Sequence, residues 1–401
     1  MKRIVIIGGG YGGVTALRSL VDTKNIQVTL IDQHPYHFLQ TEGYELVAGT
    51  LPFDKTLVNL QTLCNSYGEH VSFLHALVTT IDFNRKCLYF RSTQEITYDY
   101  IIIAAGSMTR FLKSIEGLRS CSYGVKNLIG AFKMKQFFEK ELFLRLENAR
   151  QAKEHYSVVI GGAGLSGVEI AAEMQHYFNH YYKSNTLACD TLQIHLISGS
   201  KTVLQGMHPK VIKKAEQRLK ELGVILHTSA HIEKVEVNRA FLEGGKSVSF
   251  DFMIFTGGII STSIVRKMDL EHNHLGQILV DKYLRVPDKE GVFAIGDAAE
   301  IRDKKGNLIP DTAQVAIKSG MCAAKNIKLI LKGKEPTPAT ITIKGLAIAL
   351  GGKYAILDMG KIRIYGSLGY YVKKIVENSY KWPLWIRCRY GFTKTTSCQI
   401  R

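Results

Sequence analysis

The chain has 401 residues, 46% of them hydrophobic, and a formal net charge of +17. Domains of ~100–200 residues leave room for two plus an extension, and the charge points to an anionic partner: nucleic acid, acidic lipid or a phosphate-bearing cofactor. Seven cysteines, Cys64, Cys87, Cys121, Cys189, Cys322, Cys388 and Cys398, are scattered and never spaced CxxC, which argues against a disulfide framework, a zinc site or a redox thiol pair; no metal is expected. In chain order, the apolar run after Met1-Lys2-Arg3 stops at Ile7, too short for a secretory signal. Residues 4–7 read instead as a buried parallel strand, followed by a glycine turn and a helix with Val14, Leu17 and Leu20 on one face. Residues 28–31 form the next strand. The pattern recurs at 158–160, again with a glycine turn, a helix carrying Val168, Ala171 and Met174, and a strand at 192–197. Further strands are predicted at 100–104, 252–255 and 292–295, and a helix at 312–331. No run reaches the ~18 apolar residues of a spanning helix.

The repeated β-α-β unit carries its own chemistry. Gly8, Gly10 and Gly13 give G-x-G-x-x-G directly after a strand. The first glycine permits the tight turn, the second lets a pyrophosphate approach the backbone, and the third lets helix and strand pack closely. Asp32, 24 residues after Gly8, ends the second strand where a carboxylate accepts a ribose hydroxyl. Gly162, Gly164 and Gly167 repeat the motif, but their second strand ends at Ser198, 36 residues after Gly162, with a longer helix through 177–185 filling the interval.

These fingerprints, with Tyr100-Ile101-Ile102-Ile103-Ala104-Ala105-Gly106 and Phe293-Ala294-Ile295-Gly296-Asp297-Ala298, resemble the two-dinucleotide-binding-domain flavoprotein superfamily over residues 1–330. Within it the chain is similar to type II NADH dehydrogenases on three stretches: Tyr36-His37-Phe38 to Ala48-Gly49-Thr50, Gly167-Val168-Glu169, and Thr312-Ala313-Gln314-Val315-Ala316-Ile317-Lys318-Ser319-Gly320. The last matches the family's AQxAxQ quinone motif, with Lys318 in place of its second glutamine. Gln40-Thr41-Glu42 stands where members often carry Pro-Leu-Leu.

The resemblance implies an α/β fold with two Rossmann-like domains. An FAD domain (1–112 and 259–335) is split by an inserted NAD(P)H domain (113–258), and 336–401 form a membrane-association region. It assigns FAD to Gly8, Gly10, Gly12, Gly13, Asp32, Gln33, Thr41, Val78, Ala105, Gly106, Gly296, Asp297 and Ala313, and the nicotinamide cofactor to Gly162, Gly164, Gly167, Ser198 and Gly257. Ser198 lacks the carboxylate that repels a 2′-phosphate, so NADPH stays open beside NADH. Glu169 is implied to relay a proton near the flavin and Gln314 to bond a quinone carbonyl. The resemblance further implies a membrane quinone as acceptor and a reaction that pumps no protons. A sulfide:quinone oxidoreductase needs cysteines beside the flavin, and Cys322 has no evident partner. A flavin-containing nucleic-acid-binding protein, the reading from another class, would show steep salt-dependent affinity for DNA.

In the tail, Leu368, Val372, Ile375 and Val376 recur at helical spacing with Lys373, Lys374 and Glu377 between them. Beyond, Trp382, Leu384, Trp385, Ile386, Tyr390 and Phe392 alternate with Lys381, Arg387, Arg389 and Lys394. That mixture suits an anionic headgroup boundary, with Pro383 expected to bend or divide the helix. Together with the family resemblance it implies a peripheral position on the cytoplasmic face of the inner membrane. Packing of the stripe against the chain's own domains, or a homodimer interface, is the competing expectation.

Overall fold

The computed structural model describes residues 1–91, 95–146, 156–185 and 192–388. Strand β1 (Lys2–Ile7) feeds helix α1 (Tyr11–Leu20), which returns the chain to β2 (Ile26–Asp32). After α2 (Gly43–Ala48) come β3 (Val71–His75) and β4 (Tyr100–Ile103). Consecutive residues Ile4, Val5 and Ile6 are all buried, because helices cover both faces of a parallel sheet.

The chain then crosses into the insert along Ser107–Thr109 and returns along Ile259–Ser261, two segments paired antiparallel. The insert runs through β5 (Tyr123–Gly124), α3 (Leu128–Leu146), β6 (Tyr156–Gly161), α4 (Leu165–Asn185), β7 (Leu192–Ile197), α5 (Pro209–Leu222), β8 (Ile225–His227) and β9 (Phe252–Phe255). Beyond the crossing, β10 (Val292–Ala294) and α6 (Ala313–Leu331) complete the first unit. The two parallel sheets have the same plan, β10-β4-β1-β2-β3 and β5-β9-β6-β7-β8. Helix α6 lies hard against α1: a methyl on Gly320 would stand 2.4 Å from the Gly12 carbonyl oxygen.

The expected tail is more structured than its sequence suggested. Three short antiparallel strands, β11 (Leu346–Ala349), β12 (Ala355–Asp358) and β13 (Arg363–Gly366), precede α7 (Ser367–Arg387). Ile348, Leu350 and Ile356 pack into the insert's core with Leu46 and Val47 of α2. Pro383 does not divide α7, because Leu384 is fully buried one residue on and the Cys388 N–H closes the last turn on the Leu384 carbonyl.

Helix α7 is amphipathic with its faces reversed from the usual globular arrangement. Leu368, Tyr371, Ile375, Val376, Trp382 and Ile386 are exposed, Ile375 at 67%. Lys373, Lys374 and Glu377, which fall between the apolar positions, turn inward, as does Lys381. The reason is the surface beneath, where Glu42, Glu45 and Glu169 await cations. Of the expected stripe, Leu384 and Trp385 pack against the chain's own core, while Leu368, Ile375, Val376, Trp382 and Ile386 stay outside. Tyr390, Phe392, Arg389 and Lys394 lie outside the described residues. Among the described residues no helix is long and apolar enough to cross a membrane.

Candidate active site

The two glycine turns are built alike, position for position. Gly8 and Gly162 hold φ of +106° and +112°, and each donates its N–H to the carbonyl ending the second strand, Ile31 at 2.8 Å and Ile197 at 2.9 Å. A methyl on Gly13 would lie 1.8 Å from the Gly8 oxygen, and one on Gly167 1.9 Å from the Gly162 oxygen. Gly10 and Gly164 face open space, with nothing within 4 Å of a built Cβ. Gly10 caps α1 without any side-chain bond, so the first-turn N–H groups and the helix dipole are left for an anion. That pairing of open space with unspent donors fits a dinucleotide pyrophosphate at the first turn, and the like space at Gly164 fits one at the second.

The turns that close over each cradle also match. Ala104-Ala105-Gly106 follows β4 and Thr256-Gly257-Gly258 follows β9, with Gly106 at φ +68° and Gly258 at +129°. Gly257 sits against the Phe255 ring. Thr256 donates its hydroxyl to the Gly162 carbonyl at 2.8 Å, a clasp that no sequence motif signalled.

The ribose positions differ. Asp32 accepts from the Gly9 N–H at 2.6 Å and the His34 N–H at 2.7 Å; burial nonetheless holds its pKa above the ordinary carboxylate value. Ser198 occupies the equivalent place after β7 and gives its hydroxyl to the Thr202 carbonyl. Gln33 accepts from His75 through its carbonyl. Val78, buried, begins the strand beyond, so Asp32, Gln33 and Val78 share one end of the first sheet.

The other end of the first cradle gathers the remaining assigned residues. Asp297 Oδ2 accepts from Ser107 Oγ at 2.6 Å and Lys126 Nζ at 2.9 Å. Burial alone would raise its pKa, but the Lys126 charge and these bonds hold it below the usual value. Lys126, missed by the sequence reading, also accepts from Gln40 through its carbonyl, and Thr41 bonds the Tyr11 hydroxyl at 2.8 Å. Gly296, at φ +58°, donates its N–H to Ser319 Oγ on α6. The helix starts at Ala313 behind the Thr312 cap. Gln314 and Lys318 both reach one backbone segment: Gln314 Nε2 donates to the Gly345 carbonyl at 2.7 Å, and Lys318 Nζ to that of Thr342.

Glu169, near the start of α4, meets the underside of α7. It accepts from the Ala349 N–H at 3.0 Å and Lys373 Nζ at 3.2 Å. Burial raises its pKa and the Lys373 charge opposes this. From there the ion pairs continue: Lys373 to Glu377 at 2.9 Å, Glu377 to Lys374 at 3.0 Å, Lys374 to Glu45 at 2.6 Å. Glu173, one turn along α4, accepts from the Gly352 N–H, and burial with the nearby Glu45 charge pushes it up to about 7. Farther along α7, Lys381 bonds both Glu42 oxygens, at 2.9 and 2.8 Å, and the Tyr380 hydroxyl meets His37 Nε2 at 3.1 Å. Neither the lysines nor Glu173 could be found from spacing, since an inward lysine reads like an outward one.

Two like cradles on two like sheets, facing one paired crossing, define a two-dinucleotide oxidoreductase fold. A family model described as pyridine nucleotide-disulphide oxidoreductase matches residues 2–320, and the chain belongs to that family. The demethylphylloquinone reductase of Synechocystis sp. is 30% identical, over 96% of this chain and 93% of its own length. A type II NADH:quinone oxidoreductase of Staphylococcus aureus is 24% identical, over 94% of each. Among solved structures, the NDH2 of Plasmodium falciparum in complex with NADH superposes at a TM-score of 0.84 with 18% identity, over 97% of this chain and 98% of that one. The sulfide:quinone oxidoreductase of Aquifex aeolicus does so at 0.78, also at 18% identity.

Proposed function

We infer that the protein is a type II NADH:quinone oxidoreductase that uses FAD. The observation that carries this reading is the duplicated cradle, which offers one site per dinucleotide. FAD, when bound, supplies the chemistry of accepting a hydride from NADH and passing two electrons to a quinone. The chain's residues supply the rest. The open space at Gly10 and Gly164 admits the two pyrophosphates. Asp32 takes a ribose of the first dinucleotide. Ser198 leaves the second ribose without a repelling charge, so NADPH is accepted beside NADH. Gln314 has a second Nε2 hydrogen beyond the one given to Gly345, available to a quinone carbonyl. Glu169, partly buried and paired with Lys373, is placed to hold a proton that quinone reduction consumes. The sulfide reading finds little support: burial raises the Cys322 thiol, leaving little of the thiolate that sulfur chemistry needs.

The outward stripe of α7 supports peripheral attachment to an anionic bilayer, on the cytoplasmic side, where a lipid-soluble quinone enters. The decisive experiment is anaerobic flavin reduction by NADH and by NADPH, followed by reoxidation with a short-chain quinone. Reduction without quinone-dependent reoxidation would refute the acceptor. The attachment is tested by Ile375→Glu with Ile386→Glu, which touches only exposed positions. Vesicle binding should fall while flavin content stays whole.

A further inference from the structure

Helix α3, which the sequence reading passed over, carries a second exposed apolar row. Ile129, Phe132 and Phe143 are 59%, 37% and 59% exposed, and their spacing of three and eleven residues sets them on one face with Gln136. One rim of that face holds Lys133 and Lys140, both exposed. The other holds the Lys135–Glu139 ion pair. The buried side, Ala131, Met134 and Phe138, packs into the insert's core, so the row is surplus to folding.

The row continues into the stripe of α7 through direct contacts. The Phe132 ring meets Phe53 edge-on at 5.9 Å, and Phe53 is itself 43% exposed. Two residues on, Lys55 Nζ lies 5.6 Å over the Trp385 ring of α7, and Trp385 touches the exposed Trp382 at 6.3 Å. Between the helices, Glu45 of α2 is paired with Lys374 and so presents no free carboxylate.

We propose that α3 is a second membrane contact, so that the protein lies on an anionic bilayer along two helices, α3 and α7, bridged by Phe53 and Lys55. This rests on the peripheral-attachment reading of α7 and adds a second footing to it. Isolated apolar residues on a surface need no explanation, but a connected row rimmed by cations and continuous with a second such row marks an interaction surface. The cations favour lipid phosphate over another copy of this basic chain.

The test uses the full-length flavin-loaded protein and vesicles of phosphatidylcholine with or without phosphatidylglycerol. Phe132→Glu with Phe143→Glu should lower binding to the phosphatidylglycerol vesicles ~10-fold, as loss of two inserted aromatics implies. Flavin content and NADH oxidation by a water-soluble acceptor should not change. Lys133→Gln with Lys140→Gln, which leaves the fold untouched, should weaken the binding and flatten its salt dependence. If the α3 variants bind like the parent while the α7 variant does not, the proposal is overturned and the α7 reading survives. If both bind like the parent, both readings fall. A change in oligomeric mass on Phe132→Glu and Phe143→Glu, with vesicle binding intact, would assign the face to a second copy and overturn the proposal.

Discussion

Gly10 and Gly13 stand three residues apart in one turn yet ask opposite things of a side chain. A Cβ at Gly13 collides with the Gly8 carbonyl, whereas one at Gly10 meets nothing, and Gly10 holds an ordinary φ of −78°. Gly10→Val should therefore fold with native circular dichroism and a native melting curve but emerge colourless, because only the pyrophosphate needs that space. Gly13→Ala should fail at folding, through a clash with backbone that cannot move aside. A yellow Gly10→Val protein would dispose of the first cradle as the flavin site. Glu173 makes a different kind of prediction. Its folded pKa, pushed up to about 7 by burial and the Glu45 charge, stands above the ordinary glutamate value, so the folded state binds the extra proton. The stability this gives is full at low pH and is lost as pH rises through 7, by up to about 3 kcal/mol. Glu173→Gln removes the dependence. Urea unfolding at pH 5 and pH 8 should show the variant gaining on the parent across that interval; parallel curves would show that Glu173 titrates normally.

Helix α7 shows how an element can be recognised while what lies beneath it stays hidden. Its period is plain in the sequence, and so is its pairing of lysines with apolar residues. Which face goes inward is settled by Glu42, Glu45 and Glu169, each more than 200 residues away, and no local pattern carries that. Buried pairs of this kind contribute modestly when complete and penalise heavily when broken. Lys381→Met should cost about 3–5 kcal/mol by stranding the Glu42 carboxylate, and adding Glu42→Gln should recover most of it. Denaturation midpoints of the parent, both single variants and the double variant close the cycle. Purely additive losses would mean that the two groups do not sense one another. The small sheet β11–β13 was illegible for a simpler reason: strands of four residues separated by glycine turns give too little alternation to register.

At the scale of the molecule, the duplicated unit was readable because a parallel strand, a glycine turn and a crossover helix each leave a mark within a few residues of sequence. Strands at 192–197 and 252–255 were placed to the residue. Asp297 was named from its motif, but its partner Lys126 was not, since the two are 171 positions apart. The two-site arrangement makes a prediction no single domain can test. Gln314→Ala should slow reoxidation by quinone and spare anaerobic reduction by NADH, and Gly164→Val should do the reverse. Stopped-flow absorbance resolves the half-reactions, and damage by both variants to the same one would collapse two sites into one.

The reversed helix bears on how the protein comes off a membrane. A mild detergent competes with lipid for Ile375, Trp382 and Ile386, which are already on the outside, but it offers nothing to Lys373, Lys374 or Lys381 in exchange for their carboxylates. Extraction should therefore lift the whole molecule with α7 still seated. Acid should unseat the helix first, by protonating the carboxylates beneath it, whereas salt screens pairs this buried only weakly. A protein released by detergent and one released by acid would share a sequence and a mass, and only the first would keep Glu169 covered.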